Sequence, residues 1–169
     1  MDRLTAEKVL LRAHNLPLYL HAYAFHLNMR MEKILPEDLL SIAHQQRLRG
    51  VKVHVLDGES QALCHADDAR LRRFGEQARR YGLDIHIETS ASDSQTIDQA
   101  VNIALKCGAS SVRFYPRYQG PLQEVLARIG ADIQYIKQRY QHSGLTFTLE
   151  QHEAVSYTHL RAHETLANL

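Results

Sequence analysis

The chain has 169 residues, 44% of them hydrophobic and 23% charged, the balance of a globular protein large enough for one domain with a real core. No apolar run reaches the roughly 18 residues that a membrane-spanning helix needs, and the N-terminal stretch spreads its charges with no signal-peptide apolar segment, so a cytoplasmic protein is expected. A net charge of +1 with histidines neutral builds no strong field for nucleic acid or an anionic membrane, and neither is expected as a partner.

The first predicted element is a strand over Leu16–Tyr23. Pro36-Glu37-Asp38 then opens a helix, with proline at an early helical position and acids in the first turn. Leu35, Leu39, Ile42 and Ala43 mark its apolar stripe. Gly50 closes this pattern and a strand, VKVHVL, follows at once. Leu71, Phe74, Ala78 and Tyr81 recur at helical spacing up to Gly82, which precedes LDIHIETS. Asp93 or a neighbouring serine caps the third helix, carrying Ile97, Ala100, Val101, Ala104 and Leu105. Gly108 then leads into ASSVRFYP. The fourth helix carries Leu122, Val125, Leu126, Ile129, Ile133, Ile136 and Tyr140, with Gly130 as a point of weakness. Gly144 leads into LTFTLEQHE. Each glycine is read as a left-handed helix stop. The two cysteines, Cys64 and Cys107, lack metal-ligand spacing and read as reduced thiols.

Strand then helix, repeated every roughly 30 residues, means βα units and a parallel sheet. Two architectures compete, an open doubly wound sheet and a barrel. The first βα connection has no G-x-G-x-x-G, which weakens the dinucleotide-binding form of the open sheet. The strand faces favour the barrel. One face is apolar: Leu18 and Leu20, Val51, Val53 and Val55, Ile85 and Ile87, Val112 and Phe114, Phe147 and Leu149. The other is polar: Tyr19, His21 and Tyr23, Lys52 and His54, Asp84, His86 and Glu88, Arg113 and Tyr115, Thr148, Glu150 and His152. An open sheet covered on both faces would show continuous apolar runs instead. In a barrel the polar face points inward, and the side chains at the strand C-termini form the site. Lys52 and Asp84 begin their strands and read as structural. His54, Glu88 and Arg113 lie further along, and Glu150 and His152 end a strand on the same face. The predicted fold is α/β, about the first five βα units of a (β/α)8 barrel.

The segment Thr148-Leu149-Glu150-Gln151-His152-Glu153 resembles the end of the fifth strand in the sugar phosphate isomerase/epimerase family of xylose isomerase-like barrels. Leu20–His26 is similar to that family's first strand and loop, and the resemblance spans residues 16–153. It implies one divalent metal ion (Mn, Mg, Co or Zn) at the barrel mouth with Glu150 as a ligand, the usual further Asp, His and Glu ligands coming from later strands. It places His152 near a small sugar or sugar phosphate, and Glu150 and His152 are the expected catalytic pair. His21, His54 and Glu88 are expected to line the pocket, with Arg113 meeting a phosphate or hydroxyl through its forked donors. A homo-oligomer is compatible with the whole protein. Rival readings are an abasic-site endonuclease, which needs several metals and a basic groove, a dehydratase of the same superfamily, and a non-catalytic half-barrel that pairs with another chain.

Residues 154–169 break the pattern. AVSYTHLRAHET resembles translated sequencing adapter, so the domain is drawn at 1–153 with a non-native tail, and His159 and His163 are discounted as a metal pair. The competing reading is a short genuine helix carrying Leu160, Leu166 and Leu169. A whole barrel takes about 250 residues. With unpaired strands at Leu16–Tyr23 and Leu145–His152, the chain made alone is expected to be poorly soluble and inactive.

Overall fold

The alternating segments form five short strands that build one parallel sheet. The computed structural model describes residues 16–55 and 61–150. The strands are β1 (Tyr19–His21), β2 (Gly50–His54), β3 (Asp84–Thr89), β4 (Ser111–Phe114) and β5 (Thr146–Leu149). The helices are α1 (His26–Arg30), α2 (Pro36–Gln45), α3 (Asp68–Tyr81), α4 (Ser94–Cys107) and α5 (Leu122–Tyr140), with 3-10 turns at Ala22–Phe25 and Leu63–His65. Spatial order equals chain order, β1-β2-β3-β4-β5. A doubly wound sheet would reverse direction part-way; this one winds continuously, as barrel staves do.

Local chemistry fixes the helix ends. Asp38 accepts the Leu35 N–H at 2.8 Å, while Asp67 and Asp93 cap α3 and α4 by accepting the N–H groups of Arg70 (2.6 Å) and Thr96 (3.0 Å). Gly82 and Gly108 stop α3 and α4 in the left-handed region, at φ +67° and +69°. Gly50 has a different role from the expected helix stop. The chain turns out of α2 at Arg47, whose φ is +53°, and Gly50 is the first residue of β2, where a Cβ would strike the Asp84 backbone carbonyl. Gly75 is similar: a Cβ there would meet the Cys107 carbonyl, so it lets α3 and α4 approach closely. Gly130 does not interrupt α5, which runs unbroken over 19 residues.

The core lies between the sheet and the helices. Val51, Val53, Val55, Ile85, Ile87, Val112 and Phe114 meet Leu39, Leu40, Phe74, Ile97, Val101 and Ala104, all essentially without solvent contact. Several of the expected apolar positions stay uncovered. The first strand is three residues long, because the chain bends into a 3-10 turn at Ala22, leaving Leu18 and Tyr23 exposed. Leu105 lies on the solvent side of α4, and Leu149 is half exposed at the free side of β5. Both cysteines are thiols and not disulfide partners; burial pushes the Cys107 thiol up to about 11, which keeps it protonated and unreactive. Among the described residues no helix is long and apolar enough to cross a membrane.

Candidate functional site at the strand C-termini

The inward face of the sheet carries two layers of polar side chains. The lower layer lies at the strand beginnings. The Tyr19 hydroxyl donates to Asp84 at 3.0 Å, and His86 Nε2 lies 3.3 Å from the same carboxylate oxygen. The Tyr19 and His86 rings lie 4.5 Å apart, and the Lys52 ammonium sits 5.9 Å from the Tyr19 ring. Tyr19 and His86 thus share the Asp84 carboxylate, with Lys52 over the Tyr19 ring.

The upper layer holds the candidate site. Register places His54 beside Glu88 and Glu88 beside Arg113 on neighbouring strands. Glu150 follows β5 directly; its N–H donates to the Phe114 carbonyl at 2.8 Å, which carries the ladder one step further and keeps its side chain in the series. Glu88 is the hub, its side chain 1% exposed. Its Oε2 lies 2.8 Å from His21 Nε2, 3.2 Å from His54 Nε2 and 2.8 Å from Arg113 Nη2. Burial opposes ionisation of Glu88, yet hydrogen bonds from His21, His54 and Arg113 outweigh it and hold the carboxyl far below the ordinary carboxylate range. Arg113 extends the network outward: Nη1 pairs with the Glu150 carboxylate, and Nη2 lies 3.4 Å from His54 Nε2. One guanidinium thus bridges a buried and a half-exposed carboxylate.

The tautomer of His21 follows from its other nitrogen. Nδ1 accepts the Tyr23 backbone N–H at 3.1 Å, capping the turn that ends β1. The ring proton of neutral His21 therefore sits on Nε2, aimed at Glu88.

Five of the six sequence-predicted site residues, His21, His54, Glu88, Arg113 and Glu150, meet in this cluster; His152 lies outside the described residues, as does the tail at 154–169 with His159 and His163. A polar knot beside the cluster had no signal in the spacing. Asp132 on α5 accepts hydroxyl hydrogen bonds from Ser92 (2.5 Å) and Tyr118 (2.7 Å), joining the loops after β3 and β4. Arg117 donates to the Tyr115 hydroxyl at 2.8 Å and stacks 5.3 Å from its ring.

The donor set suits a divalent cation. His21, His54 and Glu88 form a group that could hold a metal ion, with ligand atoms within 4.8 Å of one another. Imidazole with carboxylate is a borderline set that suits Zn, Co or Mn. A positive charge already stands among these groups, in the guanidinium of Arg113.

Parallel strands in chain order, helices on one face and a polar cluster at the strand C-termini define a partial (β/α)8 barrel, about the first five of its eight units. No family model matches the sequence. The uncharacterized protein YihM of Escherichia coli (strain K12) is 62% identical over 162 residues, which cover 96% of this chain and 48% of that protein. The chain thus spans about half the length of this curated relative. Among solved structures, D-psicose 3-epimerase in the presence of D-fructose superimposes with a TM-score of 0.59 at 8% identity, over 76% of this chain and 50% of that one. A xylose isomerase domain protein from Planctomyces limnophilus gives 0.55 at 11% identity, over 82% and 55%. At these identities the likeness establishes the fold.

Proposed function

We propose that the chain supplies the first five strands of a divalent-metal-dependent sugar or sugar-phosphate isomerase or epimerase, which moves a proton on a carbon next to a carbonyl. The observation that carries this reading is the convergence of His21, His54, Glu88, Arg113 and Glu150, one from each consecutive strand or its end, at a single mouth. The barrel is shared with a sugar 3-epimerase and a xylose isomerase domain protein, which fits that chemistry.

Glu150 is the residue for proton transfer. Its side chain is 40% exposed at the mouth, where a carboxylate can take a proton from a substrate carbon. Arg113 orients it through Nη1 and is itself held by Glu88. His21 and His54 hold Glu88, and Arg113 offers its forked N–H donors to sugar hydroxyls or a phosphate. His152 is assigned to the substrate alongside Glu150. Glu150 would hold the metal together with the Asp, His and Glu ligands that the family resemblance assigns to later strands. When bound, the ion polarises the substrate carbonyl and stabilises the charge left by the departing proton. Sugar specificity, phosphorylated or not, belongs to loops beyond β5.

The test is Glu150→Gln in a protein carrying the complete barrel, assayed on a panel of ketoses, aldoses and their phosphates with and without a chelator. Loss of about a hundredfold or more is expected, the lower end of what a general base contributes. Full activity in the glutamine variant would remove Glu150 from the mechanism.

A further inference from the structure

We infer that Arg117, on the loop after β4, receives an anionic group of the substrate, a phosphate ester, at the rim of the mouth. The inference rests on the proton-transfer reading above and narrows it. The substrate is a sugar phosphate, Arg113 is left to hydroxyls, and part of the choice for phosphate moves from the later loops to this one.

The case starts from charge. The Arg113 guanidinium is shared by the carboxylates of Glu88 and Glu150. Two negative charges around one positive charge leave nothing there to attract an anion, and Glu150 repels a phosphate brought beside it. A phosphate held at this mouth needs a second cation. Arg117 lies on the same loop segment, is exposed, and forms no ion pair among the described residues.

One ring joins the two arginines. Tyr115 follows β4 and is 6% exposed. Its ring centre lies 5.8 Å from the Arg113 guanidinium and 5.3 Å from that of Arg117, which ties Arg117 to the edge of the polar cluster. Arg117 is also held in place, unlike a surface arginine that must lose rotamer freedom to grip a ligand. Its Nη2 donates to the Tyr115 hydroxyl at 2.8 Å, and Pro116 fixes the backbone before it. The next residue, Tyr118, is anchored through its hydroxyl to Asp132 at 2.7 Å. Pinning the loop uses one N–H of Arg117 and none of its charge. The remaining donors keep a fork for two phosphate oxygens. Arg128 supplies a matched control, an exposed guanidinium 5.7 Å from the Tyr118 ring but carried on α5.

The experiment uses the protein carrying the complete barrel and offers each sugar of the panel both free and as its phosphate ester. Wild type is expected to favour the esters. Arg117→Met is expected to raise KM for the esters at least about tenfold, the loss of a charge-assisted contact, with kcat and the KM of free sugars kept. Arg117→Lys, which keeps a charge but not the fork, is expected to fall between, and Arg128→Met to match wild type. Equal use of free and phosphorylated sugars by wild type would overturn the inference, and so would an equal loss on both in Arg117→Met. Either result leaves the proton-transfer reading to the Glu150→Gln test. If no sugar of the panel is turned over, that reading fails, and thermal melting with inorganic phosphate reads the anion site by itself. Stabilisation of wild type that Arg128→Met keeps and Arg117→Met lacks supports the site; any other pattern overturns it.

Discussion

The centre of the sheet and its β5 end were written with similar sequence patterns and have different fates. At the centre, Val51, Val53, Ile85 and Ile87 are fully covered, and α4 buries six side chains in 14 residues. At the β5 end, α5 is longer and as periodic in its apolar residues, yet only Ile136 is fully buried. Leu122, Leu126 and Leu149 are 41%, 56% and 44% exposed, and Phe114, Ile133, Ile136, Tyr140, Phe147 and Leu149 border an open groove of about 340 Å³. The difference lies in the neighbours. An apolar stripe on a barrel helix needs a helix on each side and a strand beneath, and α4 has α3 and α5 as flanks. Among the described residues α5 is flanked on one side only. Periodicity reports which side of an element seeks cover, and topology decides whether cover arrives.

This contrast can be broken at its centre. Phe74→Ala, at a site 1% exposed, removes a ring from the best-packed region and is expected to cost about 3–5 kcal/mol in denaturant unfolding. A cost similar to that of Ile133→Ala would show that the two regions are equally packed after all. Next in size is the site layer. The folded-state pKa of Glu88 is depressed, so the unfolded chain binds the extra proton, and stability from Glu88 is present above its ordinary value of 4.5 and lost as pH falls below it. Glu88→Gln should flatten that acid limb of the melting temperature against pH. It should also cost about 1.5–3 kcal/mol at neutral pH, the range for one hydrogen bond to a charged group. An unchanged acid limb would mean that Glu88 is ordinary. The smallest effect on stability belongs to the exposed stripe. Leu126→Lys should change unfolding by no more than about 0.5 kcal/mol while reducing self-association measured by light scattering. A large loss of stability would show that α5 is covered in solution.

Much of the frame was legible because it depends on local rules. The Asp93 cap, the stops at Gly82 and Gly108 and the alternation in β2, β3 and β4 each involve residues close in sequence, and all are present. The in-facing members of the polar cluster were legible for the same reason, since alternation fixes which side of a strand a residue joins. What failed depended on contacts across the chain. Gly50 looks like a helix stop until Asp84 is placed beside it. The first strand ends early because the His21 ring caps the turn, and a histidine in a strand-like segment gives no warning of that. The bridging of Glu88 and Glu150 by Arg113 joins residues on three strands, and no spacing encodes it.

The Asp132 carboxylate has a consequence for how the rim can move. By holding Ser92 and Tyr118 together it ties the loops after β3 and β4 to each other and to the start-to-middle of α5. Neither loop can lift alone without leaving a hydroxyl or a carboxylate oxygen short of a partner, so this part of the rim moves as one body or not at all. Any rearrangement of the β3 or β4 loop therefore carries the other loop and α5 with it, or gives up one of these two hydrogen bonds.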